Sequence, residues 1–135
     1  MTTLRWLIET TELTESRKGL LFKNLVVCLE NLHASGVAHL GIEVDNIWIE
    51  EQFYVYLGPF DMIDRPHLRK LAFLPPECIM TNKTPEADLA FKADIWCIGI
   101  ILCCLRYGRR FSLMISLIET IDDYICLIKL IFNLS

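Results

Sequence analysis

No basic block, no long apolar run and no paired-cysteine motif occurs in this 135-residue chain, and each absence removes a class of function. Its 13 lysines and arginines are scattered among 17 acidic residues, for a net charge of −4. A surface with no basic run has little to neutralise a phosphate backbone, which excludes nucleic acid as a partner. No segment reaches the roughly 18 unbroken apolar residues that a bilayer-crossing helix needs. Residues 98–105 are too few, and residues 124–134 include Lys129, so no membrane is expected as a partner. Residues 1–6 lack the basic-then-apolar order of a signal peptide, so the expected location is cytoplasmic, with a nuclear one left open. The six cysteines form no Cys-x-x-Cys pair and mostly sit inside apolar stretches. They are expected to be reduced core residues, with no metal site and no disulfide framework. Internal repeats and low-complexity linkers are lacking too.

What is present is an apolar fraction of 53% in a chain long enough for one domain, and such a chain buries about two-thirds of the surface its unfolded form exposes. Residues 4–9 have a short amphipathic pattern. Leu21, Leu25, Cys28, Leu29 and Leu32 recur at helical spacing and predict a helix over residues 15–34, with Thr14 as its cap and Gly36 as its stop. Residues 46–50 and 53–57 alternate and read as a small hairpin through Glu50, Glu51 and Gln52. A second helix is predicted over residues 92–106, so apolar that several of its sides should be buried. Residues 112–135 form an apolar tail in which Leu117, Ile121, Tyr124, Ile125, Ile128 and Phe132 can line one helix face.

Four motifs then fall in order. His39, Gly41 and Asn46 are spaced as in a His-Arg-Asp-x-x-x-x-Asn loop. Pro59 and Phe60 stand where Asp-Phe-Gly would begin, 13 residues after Asn46. Pro75, Pro76 and Glu77 stand for Ala-Pro-Glu, and Asp94, Trp96 and Gly99 complete an Asp-x-Trp-x-x-Gly helix. Together these residues resemble the protein kinase superfamily, closest to the Ser/Thr type, across residues 3–111. The resemblance implies a mainly α fold with a small β-hairpin, the large lobe of a kinase-like domain. The lobe is expected to be incomplete and the small lobe absent, since the chain has no glycine-rich phosphate loop, no strand lysine and no partner glutamate helix.

The resemblance also locates what phosphoryl transfer would need. The catalytic base falls on Gly41, which has no side chain, and the phosphate-facing lysine on Glu43, which has the opposite charge. The metal-binding aspartate falls on Pro59. Asn46 is kept and is the one candidate for touching a nucleotide-bound metal, though its amide can equally fix the loop. Asp61 lies two residues beyond Pro59 as a displaced substitute. Ile47 and Ile49 suit an adenine floor, and Trp48 at the nucleotide side would partly fill it. Residues 61–74 contain no Ser, Thr or Tyr, so that segment has no phosphorylation switch. By the resemblance, Asp94 accepts hydrogen bonds from the backbone near His39, and His39 and Phe60 stack in a spine against that helix. Glu77 pairs with an arginine the chain does not supply, leaving it exposed or unpaired.

These readings lead to the expectation that the chain is not an enzyme and takes neither ATP nor Mg as cofactor. Instead it is expected to act as a protein-interaction or regulatory module in kinase signalling. The expected partner is an active protein kinase or a kinase small lobe. Two alternatives stay open: a residual ATP-binding kinase, and a truncated product without an independent role.

Overall fold

The computed structural model describes residues 1–58, 71–81 and 87–133. The chain opens with β1, Thr2–Thr3, and turns at once into α1, Leu4–Thr10. Thr3 makes that turn sharp: its hydroxyl accepts the Trp6 N–H at 3.2 Å, a cap typically worth about 1 kcal/mol. Helix α2, Glu15–Ala34, lies over the predicted residues, and the Thr14 hydroxyl accepts the Arg17 N–H at 3.2 Å. Leu21, Leu25 and Leu29 form its buried stripe. Gly36 ends the turn at φ 86°, a left-handed conformation that a residue without a Cβ adopts freely.

The expected hairpin is present as β2, Ile47–Ile49, and β3, Val55–Leu57, antiparallel with Trp48 opposite Tyr56. Two features differ from the sequence reading. β1 adds a third strand on the far edge of β2, with Thr3 opposite Trp48; two threonines carry no alternating pattern to announce it. The turn, which lacks glycine, puts Phe53 at φ 61°, a conformation that costs a side-chain-bearing residue about 1–2 kcal/mol. The Asn24 amide holds it there by donating to the Phe53 carbonyl at 2.7 Å, and the Arg17 guanidinium lies 5.7 Å from the ring centre.

A single 3-10 turn, Leu71–Phe73, leads to α3, Pro76–Thr81. Helix α4, Ala87–Tyr107, begins five residues before its predicted start. Trp96 Nε1 donates to the Ala72 carbonyl at 3.2 Å and Cys97 Sγ to that of Phe73 at 3.0 Å, which fixes the 3-10 turn against α4. Gly108, at φ 75°, breaks the helix, and α5, Arg109–Ser116, and α6, Ile121–Ile131, follow. The apolar tail is thus the rest of α5 and all of α6. The buried side of α6 is formed by Tyr124 and Leu127, whereas Ile121, Ile125 and Phe132 are exposed.

One core joins these elements: Leu4 and Ile8 of α1, the α2 leucines, Ile42, Val44, Ile47, Ile49, Phe73, and Cys97, Ile101 and Cys104 of α4. The fold is therefore mainly helical with a small antiparallel sheet. Among the described residues no helix is long and apolar enough to cross a membrane. Cys78, Cys97 and Cys104 are buried and Cys28 and Cys103 half-buried, but Cys126 is exposed, contrary to the expectation of a core residue. Helix α4 is also less enclosed than predicted: Ile95 and Leu102 lie open to solvent.

Candidate functional site

Gly36 turns the chain out of α2 and sends residues 38–46 beneath the sheet, where the loop is held chiefly by side chains from elsewhere. Asp94, on the buried side of α4, is fully enclosed and accepts three hydrogen bonds. The donors are the N–H of His39 at 2.8 Å, the N–H of Leu40 at 2.9 Å and, from the last turn of α2, His33 Nε2 at 2.8 Å. Leu40 stands at φ 61°, so the two backbone bonds secure a conformation that leucine avoids on its own.

His39 is wholly buried, and both of its ring nitrogens are used. The Gly41 N–H can only donate, so Nδ1, 3.0 Å away, is the acceptor. The ring proton then sits on Nε2, which donates to the Gly58 carbonyl at 2.7 Å. His39 is a neutral strut from the loop to the end of β3.

Asn46 closes the other side. Its Nδ2 donates to the Gly41 carbonyl at 3.0 Å, its own N–H donates to the Glu43 carbonyl, and its carbonyl accepts the Gly58 N–H at 2.7 Å. Gly58 must be glycine here: a Cβ on it would overlap Asn46 Oδ1 and lie 2.7 Å from Asn46 Cγ. Gly41 is therefore held through both its N–H and its carbonyl, on a loop with no carboxylate at that position. Glu43 is buried, at 5% exposure, within the same loop.

A second support was invisible in the sequence. Arg5 of α1 contacts Asp45 Oδ2 at 3.2 Å and Glu9 Oε1 at 3.3 Å, and its N–H donates to the Val44 carbonyl at 3.0 Å. Partial burial lowers the Arg5 pKa, but Asp45 and Glu9 together outweigh this and hold it above its ordinary value. Glu9 also accepts the hydroxyl of buried Ser112, so the loop, α1 and α5 are linked.

The sheet displays the outer face of the site. Ile47 and Ile49, read as an adenine floor, point inward and are buried; Trp48 points outward beside Tyr56, at 36% and 45% exposure. Period-two alternation fixes this, because the lobe core already claims the two isoleucines.

The motif residues divide into groups. His39, Gly41, Glu43, Asn46 and Asp94 share one site. Trp96 braces the 3-10 turn from the same helix, and Gly99 lies on the exposed side of α4. Glu77 is exposed on α3, near enough to Tyr124 to help raise its phenol. Pro59, Phe60 and Asp61 lie outside the described residues. Asn46, the residue kept for a metal, has its amide nitrogen committed to Gly41 and its amide oxygen over Gly58. Among the described residues no three His, Cys, Asp or Glu side chains are placed to hold a metal ion. His33 was missed altogether; its signal was a histidine in the final helical turn ahead of Gly36.

No protein-family model matches the chain. Curated proteins do resemble it. It is 34% identical over 113 residues, 75% of its length, to the calcium/calmodulin-dependent protein kinase kinase cmkC of Emericella nidulans. It is 31% identical over 73% of its length to CBL-interacting protein kinase 25 of Oryza sativa subsp. japonica. A match of 28% identity over 91% of the chain is to serine/threonine-protein kinase PSK1 of Saccharomyces cerevisiae. The chain spans 21%, 20% and 10% of the length of these relatives.

This finding corrects one expectation. The chain was expected not to be an enzyme, because Gly41, Glu43 and Pro59 replace working groups. The proteins it resembles are protein kinases, and it covers about a fifth of their length or less. What three of its positions lack does not amount to a loss of activity.

Proposed function

We propose, given that this chain belongs to the protein kinase superfamily and carries a piece of its large lobe, that it serves as a protein-interaction or regulatory module in kinase signalling. The observation that carries this reading is the outer face of the sheet. Trp48 of β2 and Tyr56 of β3 stand side by side in register, both exposed, while Ile47 and Ile49 on either side of Trp48 are buried. Paired aromatics exposed on a rigid strand favour contact with another apolar surface. Asp94, His39 and Asn46 hold the adjoining loop by hydrogen bonds within the chain, which favours a face preorganised for a partner.

The partner that fits is a protein kinase small lobe, from a longer form of this protein or from a separate kinase. The chain by itself is proposed to take up no Mg-ATP, since the Asn46 amide nitrogen is already bonded to the Gly41 carbonyl.

Binding of the purified chain to isolated protein kinase domains, followed by calorimetry, tests the proposal. Saturable binding is expected, and replacing Trp48 and Tyr56 together by Lys should abolish it while the helical circular-dichroism signal stays. Binding unchanged by that double substitution would refute the assignment of the face. Thermal unfolding with and without Mg-ATP tests the second statement: the midpoint should not move, and a rise would show a nucleotide site in the chain.

A further inference from the structure

We infer that the outer face of the sheet docks a partner segment that presents an arginine between apolar residues, its guanidinium lying on the rings of Trp48 and Tyr56 with Glu50 as counter-charge. This rests on the reading of that face as a docking surface and names the chemistry the partner brings to it.

The face holds more than its central pair. Side chains alternate across each strand, so Glu50 shares the outer side of the hairpin with Trp48, and Tyr54 shares it with Tyr56. Residues paired across strands as Trp48 and Tyr56 are have Cβ atoms about 5 Å apart. Tyr54, 56% exposed, adjoins Tyr56. Three aromatic rings therefore stand open on one rigid surface.

Carboxylates close the turn end of that surface. Tyr56 Oη donates to Glu50 Oε2 at 3.3 Å, and Glu51 is exposed in the turn beyond. The negative charge of Glu50 reaches the ring, since it is the chief cause that raises the Tyr56 phenol above its ordinary value. Among the described residues, neither Glu50 nor Glu51 forms an ion pair with a lysine, an arginine or the amino group of Met1. The described cations around the sheet lie elsewhere. Arg5 meets two carboxylates, Asp45 and Glu9. Arg17 rests against Phe53, whose ring packs towards the core on the α2 side of the hairpin, and Lys18 and Lys23 belong to α2 itself.

Rings and carboxylates without a cation favour one from outside. The face of an aromatic ring attracts a positive charge within about 6 Å of its centre. A carboxylate bonded to the edge of the same ring adds to that pull. Guanidinium suits the pair better than ammonium: it is planar and weakly hydrated, so it stacks on a ring while its edge donates to the carboxylate. The rest of Trp48 and Tyr54 then meets apolar residues on either side of the arginine. An acidic segment would be repelled by Glu50 and Glu51 on a chain whose net charge is already −4.

Titration of the whole chain with acetyl-Leu-Arg-Leu-Arg-Leu-amide, and with the same peptide carrying citrulline for arginine, tests the inference. Citrulline keeps the planar shape and loses the charge. The readout is the indole N–H signal of Trp48, identified by its loss in Trp48→Phe. The arginine peptide should shift that signal and bind about tenfold more tightly than the citrulline peptide, by a margin that shrinks as salt is added. Glu50→Gln with Glu51→Gln should cut this preference by about threefold or more and leave the citrulline peptide unaffected. Equal affinity of the two peptides, with Trp48 shifted by both, overturns the inference while the docking face stands. No shift with either peptide overturns both. A preference untouched by the two glutamine substitutions overturns the inference as well.

Discussion

The carboxylate of Asp94 accepts the N–H of Leu40 at 2.9 Å while Leu40 stands at φ 61°. A residue that avoids this conformation is thereby held at the centre of the loop by a side chain 54 positions away. Removing the carboxylate leaves three donors unsatisfied in a buried place, two of them backbone N–H groups. Asp94→Ala should destabilise the fold by about 3 kcal/mol, read as a lower urea midpoint. Asp94→Asn keeps one acceptor oxygen and should lose less. Equal losses would show that the hydrogen bonds do not carry the effect.

Gly58 and Asn46 form the tightest contact of the site. Gly58→Ala should cost about 2 kcal/mol, because the added carbon must displace the Asn46 amide from Gly41. In a double-mutant cycle, Gly58→Ala should cost much less on an Asn46→Ala background. Simple additivity of the two would exclude the clash as the cause.

Tyr124 links stability to alkaline pH. Burial chiefly, with the negative charge of Glu77 and Cys78 adding to it, raises its phenol well above the ordinary value of 10.0. The folded state therefore keeps a proton that the unfolded chain gives up, so the stabilisation is complete below pH 10.0 and is lost as pH rises beyond it. At neutral pH, Tyr124→Phe should cost about 1 kcal/mol through the lost bond to the Leu74 carbonyl. The gap between the two proteins should narrow as pH climbs past 10.0. A gap constant with pH would contradict the assignment.

Arg5 and Asp45 are both partly exposed, so their pairing should be modest. A double-mutant cycle should give about 0.5–1 kcal/mol of coupling at low salt, declining as salt is added. Coupling unaffected by salt would mean that packing, not charge, joins α1 to the loop.

Local signals in the sequence were enough for α2, whose leucine spacing, Thr14 cap and Gly36 stop all act within a few residues of their targets. The hairpin was legible from the alternation of Ile47, Trp48 and Ile49. Which of these faced inward was not, because the lobe core, not the strand, makes that choice. The motif spacing placed His39, Asn46 and Asp94 in one site. It could not reveal His33 or Arg5, whose partners lie 61 and 40 residues away, with no periodicity to join them. In α6 the residues are apolar nearly all round, so hydropathy alone could not pick the side that Tyr124 and Leu127 bury.

The reach of Asp94 also fixes an order of events in time. His39 leaves the ribosome 55 residues ahead of the carboxylate that will bind its N–H. Until α4 is made, the left-handed turn at Leu40 has nothing to hold it, and the buried ring of His39 has only part of its surroundings. The loop thus takes its held form only after residue 94 is made, and a pause in translation before that point would leave it unheld while α2 is already complete in sequence.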